Sequence, residues 1–380
     1  MNALCRAGST RLIPGLLCQA TSAAGLRQVH HYVVMPEATK AAFGFCVQQV
    51  RQYDYLNYVW VSQASKDLRP ALFALRAFNI ETALVAGNIR SKESIVGQIR
   101  FQWWRDAIKA AYEGRPPNHP VALALTHVLQ SSGPSATPAA AAPAAEAGSS
   151  GGTAHDLHSS CGSSCTSGSS GSGTSTSGPG RYSRYSFKRM IDTREADFVD
   201  PQPPLDLTVL EQYAEGTASQ LMYLQLSAAG VKDKEADHAA SHLGRAAGIT
   251  TLLRGTAAHA ASRRCYLPVD LCAEARVSQE DVYGGVVSEG LRDVVHKVAS
   301  LAKGHLDEAR RLAPRLPAGA SGVMLPAVAV GRYLEALEAA NFNPYNARLV
   351  RDHSGSGAAG GGAPLPYVMA VKWHQFRGTY

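Results

Sequence analysis

Apolar residues spaced three and four positions apart run through most of the chain, and this helical period limits the fold more than any other feature. Between residues 99 and 112 they line one side while polar side chains fill the other; the members are Phe101, Trp104, Ile108 and Ala111. Residues 70–86 are apolar on nearly every side, as in a helix inside a bundle. The same spacing predicts helices over 213–229, 234–254, 291–312 and 328–340. We therefore predict an all-α helical bundle, since the period-two alternation of strands is nearly absent.

Residues 131–180 consist almost entirely of Ser, Gly, Ala, Thr and Pro, with Glu146 and Asp156 as the only charged side chains. A segment of this composition cannot bury enough apolar surface to offset the entropy of ordering it. We therefore predict a disordered insertion at 131–180, between a first folded part at 50–130 and a second at 181–380.

The insertion contains one string with the spacing of zinc ligands, formed by His155, His158, Cys161 and Cys165. A zinc module needs apolar neighbours around its ligands, and only Leu157 is at hand. We interpret the string as a chance match and predict no metal.

Residues 1–34 contain no acidic side chain, whereas Arg6, Arg11 and Arg27 lie among Ser, Thr, Ala and Leu. This composition is typical of an organelle transit peptide, and we predict that residues 1–36 form such a leader. Composition alone does not separate a mitochondrial leader from a plastid one, and an N-terminus that is simply disordered is the alternative.

The formal net charge is +7, but Lys and Arg are interspersed with Asp and Glu rather than gathered into a basic run. This distribution gives no support to nucleic-acid binding and suits an anionic membrane surface. No window approaches the ~20 consecutive apolar residues that a membrane span needs. We expect any membrane contact to be peripheral.

Three stretches resemble the squalene/phytoene synthase family: residues 69–81, 99–106, and 248–254 leading into 266–270. Strings at 74–79, 236–242 and 262–264 are more similar to a mitochondrial branch of that family whose members act in the assembly of respiratory complex I. The resemblance implies an isoprenoid-synthase-like bundle on the matrix side of the inner mitochondrial membrane. It further implies complex I subunits or assembly intermediates as partners, and it is compatible with an isoprenoid or lipid ligand.

The family's enzymes hold Mg²⁺ between two aspartate-rich motifs whose acids stand at i and i+4, on one face of a helix. In this chain the first motif aligns with residues 79–84, where Asn79 is present and Glu81 is the lone acid. The second aligns with 255–259, where Gly255 and His259 occupy the aspartate positions. Glycine offers no ligand and neutral histidine suits Mg²⁺ poorly. We therefore predict a pseudoenzyme with no catalytic residue, cofactor or metal; an active synthase that joins two prenyl diphosphates head to head is the alternative.

Five further residues are candidate contacts for an anion or a partner: Arg254, Arg263, Arg264, Trp103 and Arg105. The first three flank the aligned second motif, where they would receive a phosphate or simply close helix ends as solvated charges. Trp103 and Trp104 are adjacent and cannot both face one core, so we assign Trp104 to the core and Trp103 to the edge of its helix.

One helix face also carries His238 and His242, a spacing that can bind a transition metal. No third ligand stands at a defined spacing from them in the sequence, and we predict no metal there either.

Overall fold

The computed structural model describes residues 36–87, 94–131, 182–317, 319–352 and 365–380. These residues form sixteen α-helices and no strand, which confirms the predicted all-α class. The helices are α1 Glu37–Tyr53, α2 Tyr55–Gln63, α3 Arg69–Gly87, α4 Ser94–Tyr112, α5 Pro120–Ser131, α6 Arg184–Val199, α7 Leu207–Ala214, α8 Gln220–Ala228, α9 Lys234–Arg254, α10 Thr256–Ala261, α11 Val269–Glu274, α12 Gln279–Tyr283, α13 Glu289–Leu312, α14 Pro326–Ala339, α15 Ala347–Asp352 and α16 Leu365–Arg377.

The predicted helix over 234–254 coincides with α9, because Asp233 stands at its N-cap and Gly255 at its C-cap. The Asp233 carboxylate accepts a hydrogen bond from the Ala236 amide at 2.8 Å and caps the N-terminus. The predicted helix over 213–229 begins six residues earlier than its apolar period indicates, because Asp206 caps α7. A π-helical turn, Glu215–Ser219, then joins α7 to α8.

Helix α9 lies at the centre of the described bundle and packs against α7, α8, α13, α14 and the π-helical turn. Two glycines one turn apart allow the closest of these approaches. A Cβ atom on Gly244 would lie 2.3 Å from Ser219 Cα, and one on Gly248 would lie 2.6 Å from Ala214 Cβ. Any larger side chain at these positions would therefore push α9 away from the α7–α8 segment.

The described residues form two apolar cores. One lies around α9 and α13, and the other lies around α1, α3 and α5. Among the helices that the structure describes, none is long and apolar enough to cross a membrane. The proposed leader, the insertion and the His155–Cys165 string lie outside the described residues, except for Pro36 at the end of the leader and Ser131 at the start of the insertion.

We expect Gly244→Ala to lower the free energy of unfolding by about 2 kcal/mol or more, because the new methyl group meets backbone atoms that cannot rotate away. Gly304→Ala is the matched control. Gly304 lies in α13, where an added Cβ meets nothing within 4 Å, so its substitution should raise stability by up to ~1 kcal/mol. Urea unfolding midpoints of the two variants measure the difference, and equal midpoints would refute the close approach of α9.

Candidate functional site

A cavity of about 400 Å³ lies between α3, α6, the α7–α8 segment, α9 and α14. Its wall combines charged and apolar side chains. The charged ones are Asp54, Arg76, Arg194, Asp197, Arg254 and Arg264, and the apolar ones include Leu84, Phe101, Leu221, Met222, Leu252 and Val330.

Arg194 crosses from α6 to α3 and holds the two helices together. Its guanidinium donates to the Asn79 carbonyl at 3.0 Å, to Asn79 Oδ1 at 2.6 Å and to the Thr82 hydroxyl. Burial lowers the pKa of Arg194 from its ordinary value, although it stays far above neutrality for any guanidinium. The Asn79 side chain therefore serves to satisfy a buried cation.

Asp197 forms a second polar cluster on α6. Its Oδ1 atom accepts from Arg264 at 2.8 Å and its Oδ2 atom accepts from the Tyr266 hydroxyl at 2.9 Å. Burial raises the pKa of Asp197 above its ordinary value, against the opposing effect of Arg264. Both carboxylate oxygens are thus occupied by protein donors.

Asp54 and Arg76 form a third cluster, an ion pair of 2.9 Å whose side chains are only 13% and 5% exposed. The other Asp54 oxygen accepts from Asn57 at 2.7 Å, and the Arg76 guanidinium lies 5.2 Å from the centre of the Trp60 ring. Burial lowers the pKa of Arg76, and the adjacent Asp54 charge opposes that shift. Removing one partner of such a pair commonly costs 3–5 kcal/mol because the other charge stays buried, on the order of half a domain's stability.

The cavity wall carries more positive than negative charge. Four arginines against two aspartates leave an excess of two positive charges. Arg254 accounts for part of that excess, because no carboxylate of the described residues contacts it.

Several polar atoms of the wall also lack hydrogen-bond partners among the described residues. The buried Nε atoms of Arg76 and Arg264 are unpaired donors, and Thr250 Oγ1 and His259 Nδ1 are unpaired as well. Buried donors of this kind are normally satisfied by water or a ligand. Because the unpaired guanidinium donors are cationic, the wall suits an anion with several acceptor oxygens.

His259 stands in this wall as a neutral imidazole. Burial, helped by the nearby Arg264 charge, lowers its pKa to about 4. Its ring packs edge-on against Tyr266 at 4.7 Å. The ring also occupies the space beside Gly255, since a Cβ atom there would lie 2.5 Å from His259 Cε1. A larger side chain at Gly255 would therefore displace the ring of His259.

Glu81 does not line the cavity. Its carboxylate accepts a 2.9 Å hydrogen bond from Gln49 on α1, and burial raises its pKa. The residues of α3 that do line the cavity are Arg76, Asn79, Ile80, Thr82, Ala83, Leu84 and Ala86. None of these side chains is a carboxylate.

The other candidate contacts lie apart from one another. Arg264 lines the cavity, whereas its neighbour Arg263 is exposed, pairs with Glu280 and lies over the Tyr283 ring. Arg105 pairs with Asp192 and Glu195 of α6, so it joins α4 to α6.

The two tryptophans lie as predicted. Trp104 is 4% exposed and belongs to the core. Trp103 is 38% exposed and packs on the ring of His119 at 5.3 Å.

The tertiary structure adds a third histidine to the predicted pair. His305 of α13 contacts His242 through their Nδ1 atoms at 2.9 Å, His242 contacts His238 through their Nε2 atoms at 3.2 Å, and His305 reaches Glu211. Because His242 uses its two ring nitrogens on opposite sides, these groups form a hydrogen-bonded chain rather than a common centre. No cluster able to hold a metal ion occurs in the part of the chain that the structure describes.

Sequence reasoning missed four charged residues of the cavity: Asp54, Arg76, Arg194 and Asp197. Arg76 lies within the stretch that resembles the family, but its partner precedes it by 22 residues. An arginine inside the strongly apolar stretch 70–86 was the one available signal, because a buried charge requires a partner.

Comparison with known proteins places these observations in a family. The profile of the family described as squalene/phytoene synthase matches residues 50–144 and 178–353. The protein of Homo sapiens named NADH dehydrogenase (ubiquinone) complex I, assembly factor 6 is 30% identical over 354 residues, which cover 90% of this chain and 91% of that protein. The Bos taurus protein of the same name is 31% identical over 310 residues, 82% of this chain and 78% of that protein. Phytoene synthase 1 of Arabidopsis thaliana matches at 30% over only 44% of this chain and 40% of its own.

Solved structures agree in fold. Squalene synthase HpnC of Alicyclobacillus acidocaldarius superposes with a TM-score of 0.60 at 16% identity, over 82% of this chain and 98% of its own. A dehydrosqualene synthase superposes with a TM-score of 0.63 at 14% identity, over 90% of this chain and 99% of its own. These likenesses confirm the isoprenoid-synthase-like bundle.

The low pKa of His259 gives a pH dependence with a definite sign. The folded state keeps the imidazole neutral down to about pH 4, whereas the unfolded chain takes up a proton near pH 6.5. Stability is therefore complete above pH 6.5 and falls as the pH drops, by about 2 kcal/mol at pH 5 from this group. Urea titrations measure this effect. Between pH 7.5 and 5, we expect the free energy of unfolding of the His259→Gln variant to fall by about 2 kcal/mol less than that of the unmodified protein. Parallel curves for the two proteins would show that His259 does not titrate as its burial requires.

Proposed function

The chain belongs to the squalene/phytoene synthase family, and on this premise we propose that it assists the assembly of mitochondrial respiratory complex I without prenyl-transfer activity. The long matches support this assignment, since the relatives that resemble the chain over most of its length carry an assembly-factor name. The phytoene synthase matches cover less than half of the chain.

The observation that carries the proposal is the chemistry of the cavity wall. Mg²⁺ binds oxygen ligands, above all carboxylates whose charge is free to meet the cation. The wall's two carboxylates, Asp54 and Asp197, are each paired with an arginine. Asn79 and His259, two of the predicted motif positions, line the cavity and offer no carboxylate. These residues do not fit a diphosphate-bound Mg²⁺ cluster, which supports the loss of both aspartate-rich motifs.

The same wall supports a ligand-binding role. Excess positive charge, unpaired guanidinium donors and apolar side chains suit an amphiphile with a phosphate group, such as an isoprenoid phosphate or a phospholipid. We place the protein on the matrix side of the inner membrane, where such amphiphiles and complex I subunits meet. Complex I subunits or assembly intermediates are the proposed protein partners.

We expect no head-to-head product when the purified protein is incubated with farnesyl or geranylgeranyl diphosphate and Mg²⁺ or Mn²⁺. Without free carboxylates to hold the metal, the diphosphate leaving group is not neutralised. Mass spectrometry of the extracted lipids measures the product, with the phytoene synthase of Arabidopsis thaliana as positive control. Dehydrosqualene or phytoene that disappears when the protein is heat-denatured would favour the active synthase instead.

Complementation of a strain that lacks the gene tests the assembly role, and two arginines nine residues apart form the matched pair. Arg254→Gln removes a cavity charge that no described carboxylate contacts, so we expect a normal melting temperature and several-fold less assembled complex I. Arg263→Gln removes an exposed charge outside the cavity and should support normal assembly. Glu81→Gln should also support assembly, because Glu81 faces Gln49 and not the cavity.

In-gel complex I activity, read beside the steady-state level of each variant, gives the result. An inactive Glu81→Gln variant of normal stability would indicate residual catalysis. A fully active Arg254→Gln variant would remove the cavity from the proposed function, and a null strain with normal complex I would remove the assembly role.

A further inference from the structure

The exposed side of helix α16 carries a continuous apolar stripe. Its members are Leu365, Met369, Trp373 and Phe376, with exposed fractions of 73%, 58%, 57% and 86%. At about 100° per residue these four positions fall within an arc of roughly 80° on one side of the helix. No other described element covers them, as their exposure shows.

The opposite side of α16 fixes the helix to the bundle. Tyr367 and Val371 are buried in the core around α1 and α3. The Tyr367 hydroxyl donates to the Leu56 carbonyl at 2.9 Å, and the Gln375 amide donates to the Gln63 carbonyl at 2.7 Å. The stripe is therefore held on a rigid element rather than exposed by loose packing.

The charged side chains of α16 itself are all positive. Helix α16 contains no acidic residue, and its two permanent cations, Lys372 and Arg377, lie on either side of the stripe when the helix is viewed down its axis. The Arg377 guanidinium lies 5.3 Å from the centre of the Trp373 ring. Arg310 is also close, since it donates to the Tyr380 carbonyl and, together with burial, lowers the pKa of His374.

We propose that α16 is a membrane-docking helix whose stripe inserts between the headgroups of an anionic bilayer. Aromatic and aliphatic side chains along one face, with cations at both edges, fit the boundary between acyl chains and phosphates, where the stems of Lys and Arg stay apolar and their charges reach the headgroups. A protein groove would match the apolar face, but it would leave the flanking cations without the continuous negative surface that anionic lipids supply.

This surface deepens the proposed function, because α16 packs against a residue of the cavity wall. The Tyr367 hydroxyl, on the buried side of α16, donates at 2.9 Å to the carbonyl of Leu56, which lines the cavity. A bilayer on the outer side of α16 would thus lie about one helix diameter, ~10 Å, from the cavity wall. The choice of the inner mitochondrial membrane rests on the proposed function, whereas docking to a bilayer can be tested with vesicles alone.

The test is flotation of the full chain with vesicles of phosphatidylcholine alone or of phosphatidylcholine with phosphatidylglycerol. We expect binding to the anionic vesicles, at least tenfold weaker binding to the neutral ones, and weakening with added salt. Met369→Gln combined with Trp373→Gln and Phe376→Gln should lower anionic binding at least tenfold. Lys372→Gln combined with Arg377→Gln should lower it by a similar factor and leave apolar exposure unchanged.

The matched control is Ile95→Gln with Ile99→Gln on α4, where two exposed apolar residues also stand one turn apart, at 59% and 62% exposure. This variant should bind like the unmodified protein. Melting temperatures accompany each variant, and the charge variant decides the result if the triple variant unfolds.

Four outcomes would overturn the proposal. They are no binding to anionic vesicles, equal binding to neutral ones, equal loss in the α4 control, and a dimer that the α16 substitutions dissociate, which would make the stripe a contact between two copies. Failure here would leave the complex I assay and the family assignment unchanged, since vesicles alone provide the readout.

Discussion

Burying guanidinium groups at the centre of a helical bundle is the constraint on which the rest of this structure depends. A buried cation is tolerated only when hydrogen bonds and counter-charges replace the water that it loses. Arg194 takes its partners from α3, Arg264 takes Asp197 from α6, and Arg76 takes Asp54 from the start of α2. Each arginine therefore links two segments, and the polar cavity is held open by the same bonds that hold the helices in place.

This use of the polar groups leaves no carboxylate without a protein donor in the described cavity wall. Asp54 and Asp197 have both oxygens engaged by protein donors. What remains unsatisfied is positive, above all Arg254 and the Nε atoms of Arg76 and Arg264. A wall of this kind can bind a phosphate group without promoting the loss of a diphosphate leaving group. Binding a phosphate needs only hydrogen-bond donors, whereas cleaving the carbon–oxygen bond of a prenyl diphosphate needs the growing charge on the leaving group to be neutralised. The fold of a prenyl synthase is thus compatible with a binding role, as fold alone does not fix function.

The proposed membrane surface belongs to the same arrangement. Tyr367 on the inner side of α16 donates to the carbonyl of Leu56 in the cavity wall, and the apolar stripe lies on the outer side of that helix. An amphiphile that leaves a bilayer would meet this side of the protein first. The cavity wall and the stripe therefore lie on opposite sides of one helix, which would join the proposed ligand binding to the proposed membrane contact.

The sequence by itself determined the helices, the all-α class and the family, because helical periods, caps and motif strings are local. The bounds of α9 and the positions of Trp103 and Trp104 followed from spacing within one or two turns. Only the tertiary structure decided which polar residues meet. Arg194 and Asn79 are 115 residues apart, His305 joins His242 across 63, and Glu81 turned out to face α1 while Asn79 faces the cavity. Helical periodicity indicates which side of a helix is apolar, but the partner of a buried charge is set by the packing of distant helices, which no local pattern encodes.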